Sequence, residues 1–313
     1  MASQKQKSID IVYVLGKGSG WRNNEIRFSL RSVDKNLKGI RKIWIVGEKP
    51  EFIKNVTHIP FPDELINNAD GNIIRKVLRV CQEKTLTDNF LFINDDHLVL
   101  KPVLANDIPP YHKGNMETFK KDFFEANFWR GRLWRTKNIL QQKGYPVLHF
   151  DCHMPIVINK HRFPEVMSEF DFENQTGYTM KSLYGNVVHP DAPGLNGQKA
   201  VIFRPFLLSD IKDKVKNRAF IAFNDDGLKP PFKTWLYNNF PLQSKYEKTI
   251  GPQDPFFEII AWILSEEKNF TAGCQLYDKF GKAKKVKKYF SKGESNARYL
   301  KLEHKIRELL NYF

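Results

Sequence analysis

Apolar and polar positions along the first hundred residues follow two different periods. Short runs of β-branched and aromatic residues predict four buried strands, at 8–15, 42–47, 55–60 and 90–93. Between these runs, apolar residues recur at helical spacing and predict helices at 21–36 and 72–81. Strands that alternate with helices in this order are typical of an α/β fold, with a mostly parallel sheet flanked by helices.

The rest of the chain continues this mixed pattern. Further strands are predicted at 156–158, 200–203 and 219–223. Further helices are predicted at 119–142, 163–170, 230–241, 255–266 and 294–313. A densely basic stretch precedes the last helix. We therefore expect one large domain over residues 1–270 and a small basic helical extension over residues 271–313.

The predicted strand at 90–93 ends in an unusual polar sequence. Its four apolar residues run directly into Asn94, Asp95 and Asp96. In open α/β sheets, ligands bind just beyond the carboxyl ends of the strands. Two adjacent carboxylates repel each other unless a cation holds them, and Mg²⁺ or Mn²⁺ prefers such oxygen ligands. The sequence therefore predicts a site for a divalent metal and a nucleotide diphosphate, with a polar turn as the alternative.

A second polar cluster contains Asp151 and His153. In an extended segment these two side chains face the same way. A histidine can take a proton from an acceptor hydroxyl near neutral pH, and a neighbouring carboxylate can orient it. We therefore predict that His153 is a catalytic base oriented by Asp151, with a core histidine bonded to a carbonyl as the alternative.

An apolar strand followed by Asn-Asp-Asp occurs a second time, at 220–226. Asp225 and Asp226 either close the same site and contact the acceptor, or form an Asx-type turn. The helix predicted after residue 70 opens with Asp70 and Arg75. Because a helix N-terminus attracts anions, both residues are secondary candidates for contact with a phosphorylated donor.

The balance of charge favours an anionic partner. The chain has 50 Lys and Arg against 35 Asp and Glu, which gives a formal net charge of +15. Such a charge raises the local concentration of polyanions. Two stretches, one within 129–135 and one within 279–290, combine cations with aromatic rings, which suits phosphate contact and base stacking. Their candidate acceptor-binding residues are Trp129, Arg130, Arg132, Trp134, Lys284 and Lys285. An ordinary amphipathic helix is the alternative for the first stretch.

Composition also limits the cellular setting that we expect. No run of 18 apolar residues is present to span a membrane. The polar N-terminus leads directly into a strand and does not resemble a signal peptide. Three cysteines lie far apart without zinc-site spacing, which fits free thiols in a reducing cytoplasm. We therefore expect a cytoplasmic protein of a bacterial or phage-infected cell.

Four segments, in order, resemble the Stealth family of sugar-phosphate transferases. The first is residues 9–13, and the second comprises residues 23–32, 41–46 and 92–96. The third is residues 152–155 with 163–166, and the fourth is residues 220–226 with 240–241 and 244–247. The family includes bacterial capsule enzymes and the lysosomal-targeting N-acetylglucosamine phosphotransferase. The resemblance implies a core like that of GT-A glycosyltransferases, with a Rossmann-like sheet, and a nucleotide-sugar donor such as a UDP-sugar.

The resemblance also assigns roles to individual residues. It implies that five side chains line the donor side, and these are Asp10, Asn24, Glu25, Arg27 and Arg31. It places Asp95 and Asp96 near the metal or the diphosphate, with Asn94 on the donor side, and makes His153 catalytic. Because GT-A enzymes often use a histidine as a further metal ligand, His97 and His189 are candidates, and His189 joins the predicted metal site.

Two departures from the family leave the reaction open. An acidic side chain that the family carries after its first strand is absent, since Gly16 to Ser19 stand there. Lys181 stands where the family has an arginine and would contact the acceptor without bidentate phosphate binding. With the charge, these departures favour a phage-type glycosyltransferase acting on hydroxymethylated bases in DNA. A Stealth-type sugar-1-phosphate transferase of capsule or surface polysaccharide, and a non-catalytic nucleic-acid-binding protein, remain the alternatives.

Overall fold

A computed structural model describes residues 8–17, 21, 23–174, 177–205 and 207–248 of the chain. The strands in these ranges are β1 (Ile9–Leu15), β2 (Leu37–Lys38), β3 (Ile40–Gly47), β4 (Thr57–Ile59), β5 (Asn89–Phe92), β6 (His97–Val99), β7 (Val103–Leu104), β8 (Ile156–Asn159), β9 (Lys199–Ile202) and β10 (Phe220–Phe223). The helices are α1 (Asn24–Asn36), α2 (Ala69–Cys81), α3 (Lys121–Glu125), α4 (Phe128–Gln142), α5 (Arg162–Ser168), α6 (Met180–Val188), α7 (Leu208–Val215) and α8 (Pro230–Asn239).

Several predictions fall outside these described residues. They are the helices at 255–266 and 294–313, the domain boundary at 270 and the basic residues Lys284 and Lys285. Among the helices that the structure does describe, none combines the length and the apolar character that a membrane crossing needs.

The main sheet has five strands in the order β4-β3-β1-β5-β8. The first four are parallel to one another, and β8 runs antiparallel to β5. This arrangement confirms the predicted α/β fold with a mostly parallel sheet flanked by helices. Because parallel strands end at the same edge of a sheet, the polar residues after β5 lie beside the carboxyl ends of β1 and β3.

A second sheet extends the molecule beyond this edge. Its order is β6-β10-β9, with β6 antiparallel and β9 parallel to β10. The backbone N–H of Phe223, the last residue of β10, donates to the carbonyl of Asp96 at 3.3 Å. The sequence pattern does not predict β6, because three residues after a polar turn are too few to show a period. The second sheet thus adjoins the predicted metal-binding segment directly.

Helix α1 is buried on both sides. Its predicted apolar face, Ile26, Leu30 and Val33, packs into the core cluster that covers the main sheet. On its other side Phe28 stacks on Trp21 with ring centroids 5.5 Å apart, within the core of the second sheet. The helix therefore joins the two cores instead of exposing a polar face to solvent.

Two arginines of α1 are buried around one carboxylate. Arg27 Nη1 lies 2.8 Å from Glu247 Oε2, and Arg31 donates through Nε and Nη2 to both oxygens of Glu247 at 2.9 Å. All three side chains are at most 2% exposed. This corrects the predicted donor-side role of Arg27 and Arg31, because their guanidinium groups hold the end of the described chain onto α1.

Asp10 is also a structural residue. Its carboxylate lies near the amino end of β1, opposite the edge at which ligands bind in such sheets. It accepts hydrogen bonds from Arg41 Nε at 2.8 Å and from Trp44 Nε1 at 2.9 Å. The predicted donor contact by Asp10 is therefore wrong, because the side chain is buried at the far edge of the sheet.

The helix predicted over 119–142 is interrupted. It forms as α3 and α4, separated by Ala126 and Asn127. Asn127 is extended, and its side chain accepts a hydrogen bond from the N–H of Arg130, which caps α4. Apolar spacing continues across this break because both helices pack on the same core cluster.

Removal of the buried carboxylate should destabilise the fold strongly. Glu247→Ala is expected to lower the free energy of unfolding by about 3 to 5 kcal/mol, because two buried guanidinium groups lose their counter-ion. Urea unfolding at neutral pH measures this loss. Glu165 forms an exposed pair with Arg162 on α5, so the matched control Glu165→Ala should cost less than about 1 kcal/mol. Equal losses in the two variants would contradict the assignment.

The same carboxylate should make stability depend on acidity. Burial alone would raise the pKa of Glu247, but Arg31, Arg27 and the Ser244 N–H outweigh burial and hold this pKa below its usual value of 4.5. Its contribution to stability is therefore complete above pH 4.5 and is lost as the pH falls through the lowered pKa. Unfolding midpoints measured across this acid range should fall less steeply in Glu247→Gln than in the wild type. An identical acid dependence would refute the linkage.

Candidate metal and nucleotide site

Three side chains that could hold a metal ion converge at the edge of the main sheet. The ligand atoms of Asp96, His97 and His153 all lie within 4.8 Å of one another. His97 Nε2 is 3.4 Å from Asp96 Oδ1, and His153 Nδ1 is 3.5 Å from Asp96 Oδ2. We call these three residues the Asp-His-His group.

The turn between β5 and β6 places two members of the group. The carbonyl of Asn94 accepts a hydrogen bond from the N–H of His97 at 3.2 Å, which closes a turn after β5. Asp96 lies within this turn, and His97 begins β6. The chain thus leaves the main sheet and enters the second sheet within the predicted polar sequence. The Asp96 carboxylate and the His97 imidazole are therefore held where the main sheet meets the second sheet.

His153 reaches the group from a strained conformation. Its backbone φ is 52°, in the left-handed region that non-glycine residues rarely adopt. Such conformations cost of order 1–3 kcal/mol and persist only where the surrounding structure holds them. The strain here accompanies a side chain whose Nδ1 lies 3.5 Å from the carboxylate of Asp96, in the turn between β5 and β6.

The first turn of α6 holds the segment around His153 from both sides. Before His153, the Asp151 carboxylate accepts hydrogen bonds from the N–H of Ser182 at 2.8 Å and from its hydroxyl at 2.5 Å. After it, the buried ammonium of Lys181 donates to the carbonyl of Met154 at 2.8 Å. Lys181 also donates to Asn94 Oδ1 at 2.8 Å. One lysine thus connects the turn after β5 to the segment that carries His153.

Two predicted roles change as a result. Asp151 was expected to orient His153, but its carboxylate caps α6, and the carboxylate beside His153 is that of Asp96. Lys181 was expected to contact the acceptor, but its ammonium lies in the interior, where the side chain is buried. Both residues position the site because their polar groups are used within the fold.

Negative charge is concentrated next to the group. Burial, together with the neighbouring carboxylates of Asp96 and Glu25, raises the pKa of Asp95 to about 8. No lysine or arginine of the described residues forms an ion pair with Asp95 or Asp96. A divalent cation would relieve this repulsion, because it favours the ionised form of each carboxyl group.

The donor set of the group fits a divalent ion. Asp96 Oδ1 and both ring nitrogens of His97 are buried without a hydrogen-bond partner in the described part of the chain. Burial lowers the pKa of His97 well below its usual value, so that the ring is neutral, as a metal ligand must be. Two ligand atoms about 2.1 Å from one ion lie roughly 3.0–3.4 Å apart at angles of about 90–110°. The two separations to Asp96, 3.4 and 3.5 Å, are close to this range, and the ligand atoms of the three residues together lie within 4.8 Å.

Lys199 is a residue of the site that sequence reasoning missed. It is the first residue of β9, and its ammonium donates to the carbonyl of Cys152, next to His153. Burial lowers the pKa of Lys199 to about 8, and its charge interacts with that of Asp96. Nothing in the local pattern marks a lysine at the start of a strand, so only the tertiary structure reveals this cation.

Several predicted donor contacts are engaged elsewhere. Asp70 pairs with Arg132 at 2.5 Å, which joins α2 to α4, and burial raises the pKa of Asp70 to about 6. The Arg75 guanidinium lies 2.7 Å from Glu64. Asn24 is held within its own helix turn, since its amide donates to the carbonyl of Trp21 at 2.7 Å. Two of the predicted donor residues do have contacts around the Asp-His-His group. Asn94 accepts a hydrogen bond from Lys181, and the charge of Glu25 interacts with that of Asp95.

His189 lies away from the predicted metal site. It follows the last turn of α6, with its ring 5.9 Å from that of Tyr184. The residues that hold the site belong to the first turn of the same helix. Because α6 has nine residues and rises about 1.5 Å per residue, the two ends are well separated. His97 takes the position in the group that was predicted for His189.

The predicted acceptor residues divide into two sets. The ring of Trp129 lies 6.3 Å from that of His153. Asp225 and Asp226 form a short turn after β10, and Asp226 pairs with Arg204 at 3.3 Å. Trp134 packs on Phe124 at 4.9 Å as part of the core. Trp134 and Arg132 are therefore structural residues of an amphipathic helix, because Trp134 packs in the core and Arg132 pairs with Asp70. Trp129 instead lies beside His153.

Comparisons with known proteins identify neighbours at the level of fold. No family model matches the chain, and no curated protein is similar to it. The resemblance to the Stealth family therefore stays a prediction from four segments. Similar solved structures include the galactosyltransferase LgtC in complex with donor and acceptor sugar analogues, at 10% identity and a TM-score of 0.44. That similarity covers 76% of this chain and 98% of LgtC.

Two other solved structures are more distant. Mouse xyloside xylosyltransferase 1 has 10% identity and a TM-score of 0.37, with 71% of this chain and 99% of that chain covered. The glycosyltransferase GlyE of Streptococcus pneumoniae TIGR4 has 10% identity and a TM-score of 0.37, with 72% and 56% covered. At these values the function of this chain has to be argued from its own residues.

Loss of the Lys181 ammonium should weaken metal binding without removing a ligand. Lys181→Met leaves Asn94 and Met154 without their shared donor, so that the turn after β5 and the His153 segment separate. Calorimetry with Mn²⁺ should show affinity reduced roughly 10- to 100-fold, as for other residues that orient metal ligands. Lys160 is a comparably buried lysine that donates to the carbonyl of Leu86 at the far edge of the sheet. Unchanged affinity in Lys181→Met, or an equal loss in Lys160→Met, would contradict the positioning role.

Proposed function

We propose that this protein is a metal-dependent glycosyltransferase that uses a nucleotide-sugar donor, with the Asp-His-His group as its metal site. The observation that carries the proposal is the convergence of Asp96, His97 and His153 at the carboxyl edge of a mostly parallel sheet. Ligands of open α/β sheets bind at this edge. The proposal retains the predicted Mg²⁺ or Mn²⁺ and the predicted nucleotide sugar, of which a UDP-sugar is the expected example.

Each residue around the group has a distinct part in this function. Asp96, His97 and His153 would hold the ion, and Asp95 would lie beside it on the side of Glu25. The ion, when bound, would neutralise charge that develops on the leaving nucleotide diphosphate. Lys199 places a second cation next to His153, and its charge interacts with that of Asp96. Lys181 and Asp151 keep the ligands in position from the interior.

The assignment of His153 changes under this proposal from a base to a metal ligand. Its Nδ1 faces Asp96 Oδ2 at 3.5 Å, at the point where His97 also converges. A general base would instead have to present a free nitrogen to the acceptor hydroxyl. The two roles differ in metal affinity, which makes them separable by experiment.

Transfer of a sugar fits these residues better than transfer of a sugar phosphate. In the family that the sequence resembles, an arginine stands where this chain has Lys181. Lys181 is buried, and its ammonium is already engaged by Asn94 and Met154 within the fold, so it does not replace the bidentate phosphate contact of an arginine. We therefore favour plain glycosyl transfer and keep the sugar-phosphate reaction as the alternative outcome of the test below.

The reaction itself can be tested with a panel of donors. Purified protein with Mn²⁺ is incubated with nucleotide sugars alone, and then with hydroxymethylated DNA or anionic oligosaccharides, and products are identified by mass spectrometry. We expect the mass of one sugar to be added to an acceptor and free nucleoside diphosphate to be released. Addition of a sugar phosphate with release of nucleoside monophosphate would support the alternative reaction. Absence of donor turnover with every nucleotide sugar would contradict the proposal.

The metal ligands should be detectable without activity. Asp96→Asn and His153→Ala should each weaken Mn²⁺ binding measured by calorimetry and lower turnover by roughly 10²-fold or more, because charge on the leaving group is no longer neutralised. Asp226→Asn, which affects an exposed pair with Arg204, is the control for metal binding. If His153→Ala keeps wild-type Mn²⁺ affinity but loses transfer, His153 is a base and not a ligand.

A further inference from the structure

A basic and aromatic cleft lies near the Asp-His-His group, and the rings of His149 and Trp129 lie between the two. It has a volume of about 500 Å³ and is lined by Lys113, Phe119, Lys120, Asp122, Phe123 and Arg130. Three of these side chains are cationic and one is anionic. The cleft therefore carries a net positive charge and fits a ligand with at least one anionic group.

The aromatic wall of the cleft is held in place by its neighbours. The rings of Phe119 and Phe123 meet edge to face, with centroids 4.9 Å apart. The guanidinium carbon of Arg130 lies 4.3 Å from the centroid of Phe123, and Arg130 Nη1 donates to the Phe123 carbonyl at 3.4 Å. A planar cation and two rings thus form a wall on which a flat group can stack.

The cleft is continuous with the proposed site of transfer. Phe119 contacts the ring of His149, with centroids 5.8 Å apart. Trp129 touches both His149, at 5.9 Å, and His153, at 6.3 Å. The backbone of Lys113 is fixed beside His149 because its N–H donates to the His149 carbonyl at 2.9 Å. A ligand unit in the cleft would therefore lie next to the unit at the metal.

We propose that this cleft binds one nucleotide of a single-stranded or unpaired nucleic-acid acceptor, with its base on Phe123 and its phosphate among Lys113, Lys120 and Arg130. The inference rests on the proposed glycosyl transfer, because it describes the acceptor of that reaction. Stacked rings combined with lysine and arginine are the means by which proteins hold single strands without reading their sequence. The volume of about 500 Å³ suits one nucleotide unit.

Direct binding of a labelled short single-stranded oligodeoxynucleotide tests the charged part of this proposal. Fluorescence anisotropy is recorded from about 50 to 200 mM salt. A plot of the logarithm of affinity against the logarithm of salt concentration should have a slope of roughly −0.7 for each phosphate neutralised on a single strand. Lys120→Gln and Arg130→Gln should each flatten that slope by about 0.7. Lys121 lies beside the cleft and is 82% exposed, so Lys121→Gln is the matched control. An equal change in slope for Lys121→Gln would overturn the proposal.

The stacking part is tested with Phe123. Phe123→Ala should reduce affinity for the oligomer roughly 5- to 150-fold, the usual effect of removing one stacking ring. Phe123→Leu keeps an apolar side chain in the core but lacks the flat face, so it should show a similar loss while the protein stays folded. Phe128 is 94% exposed nearby, and Phe128→Ala should bind normally. An abasic oligomer that binds as well as the intact one would overturn stacking.

Two further results keep this proposal separate from the proposed function. Calorimetry of Mn²⁺ and UDP with the wild-type protein reports on the donor site alone. If both bind but the oligomer does not, the cleft proposal fails and the glycosyltransferase proposal stands. If an anionic oligosaccharide such as a polyuronate binds and loses affinity in Lys120→Gln and Phe123→Ala, the cleft serves a glycan, and the nucleic-acid acceptor is refuted.

Discussion

Two arginine side chains of α1 have to be buried for this fold to close, and a single carboxylate makes their burial possible. Glu247 comes from the last described segment, which also pairs with the loop after β3. The N–H of Lys54 donates to the carbonyl of Tyr246, and the N–H of Lys248 donates to the carbonyl of Phe52. A buried charge without a partner costs several kcal/mol. The segment therefore has to lie against α1, and that in turn fixes α1 between the two sheets.

The position of α1 has a direct consequence for the site. Glu25 stands in the first turn of the helix that Arg27 and Arg31 anchor, and its charge acts on Asp95. Elsewhere in the described chain the fold satisfies its buried carboxylates with arginines, as it does for Asp10. At the carboxyl edge of the sheet it instead brings Asp95, Asp96 and Glu25 together beside His153 and the neutral ring of His97. Under the proposed function a divalent cation would offset the repulsion among these carboxylates, so the packing that stabilises the fold would also position the metal ligands.

Whether a residue's role could be predicted from the sequence depends on how far along the chain its partner lies. The apolar face of α1 and the polar end of β5 were predicted correctly, because both depend on neighbours within a few residues. The partner of Arg27 lies 220 residues away, and that of Asp10 lies 31 residues away across a strand. No local period reveals such pairs. Polar residues with distant partners were therefore read as candidates for ligand binding when they are structural.

The two roles considered for His153 exclude each other on chemical grounds. As a metal ligand through Nδ1, the ring carries its proton on Nε2 and has no free lone pair for an acceptor hydroxyl. As a base, it would donate from Nδ1 to Asp96 and accept at Nε2, which is the arrangement of a carboxylate-oriented histidine. The distance of 3.5 Å to Asp96 is long for a hydrogen bond, whereas it is close to the spacing of two ligands on one ion. His97, neutral and without a hydrogen-bond partner in the described residues, points to the same place. Under the proposed function, the strained backbone at His153, held by Asp151 and Lys181, would serve to bring a ligand to the ion.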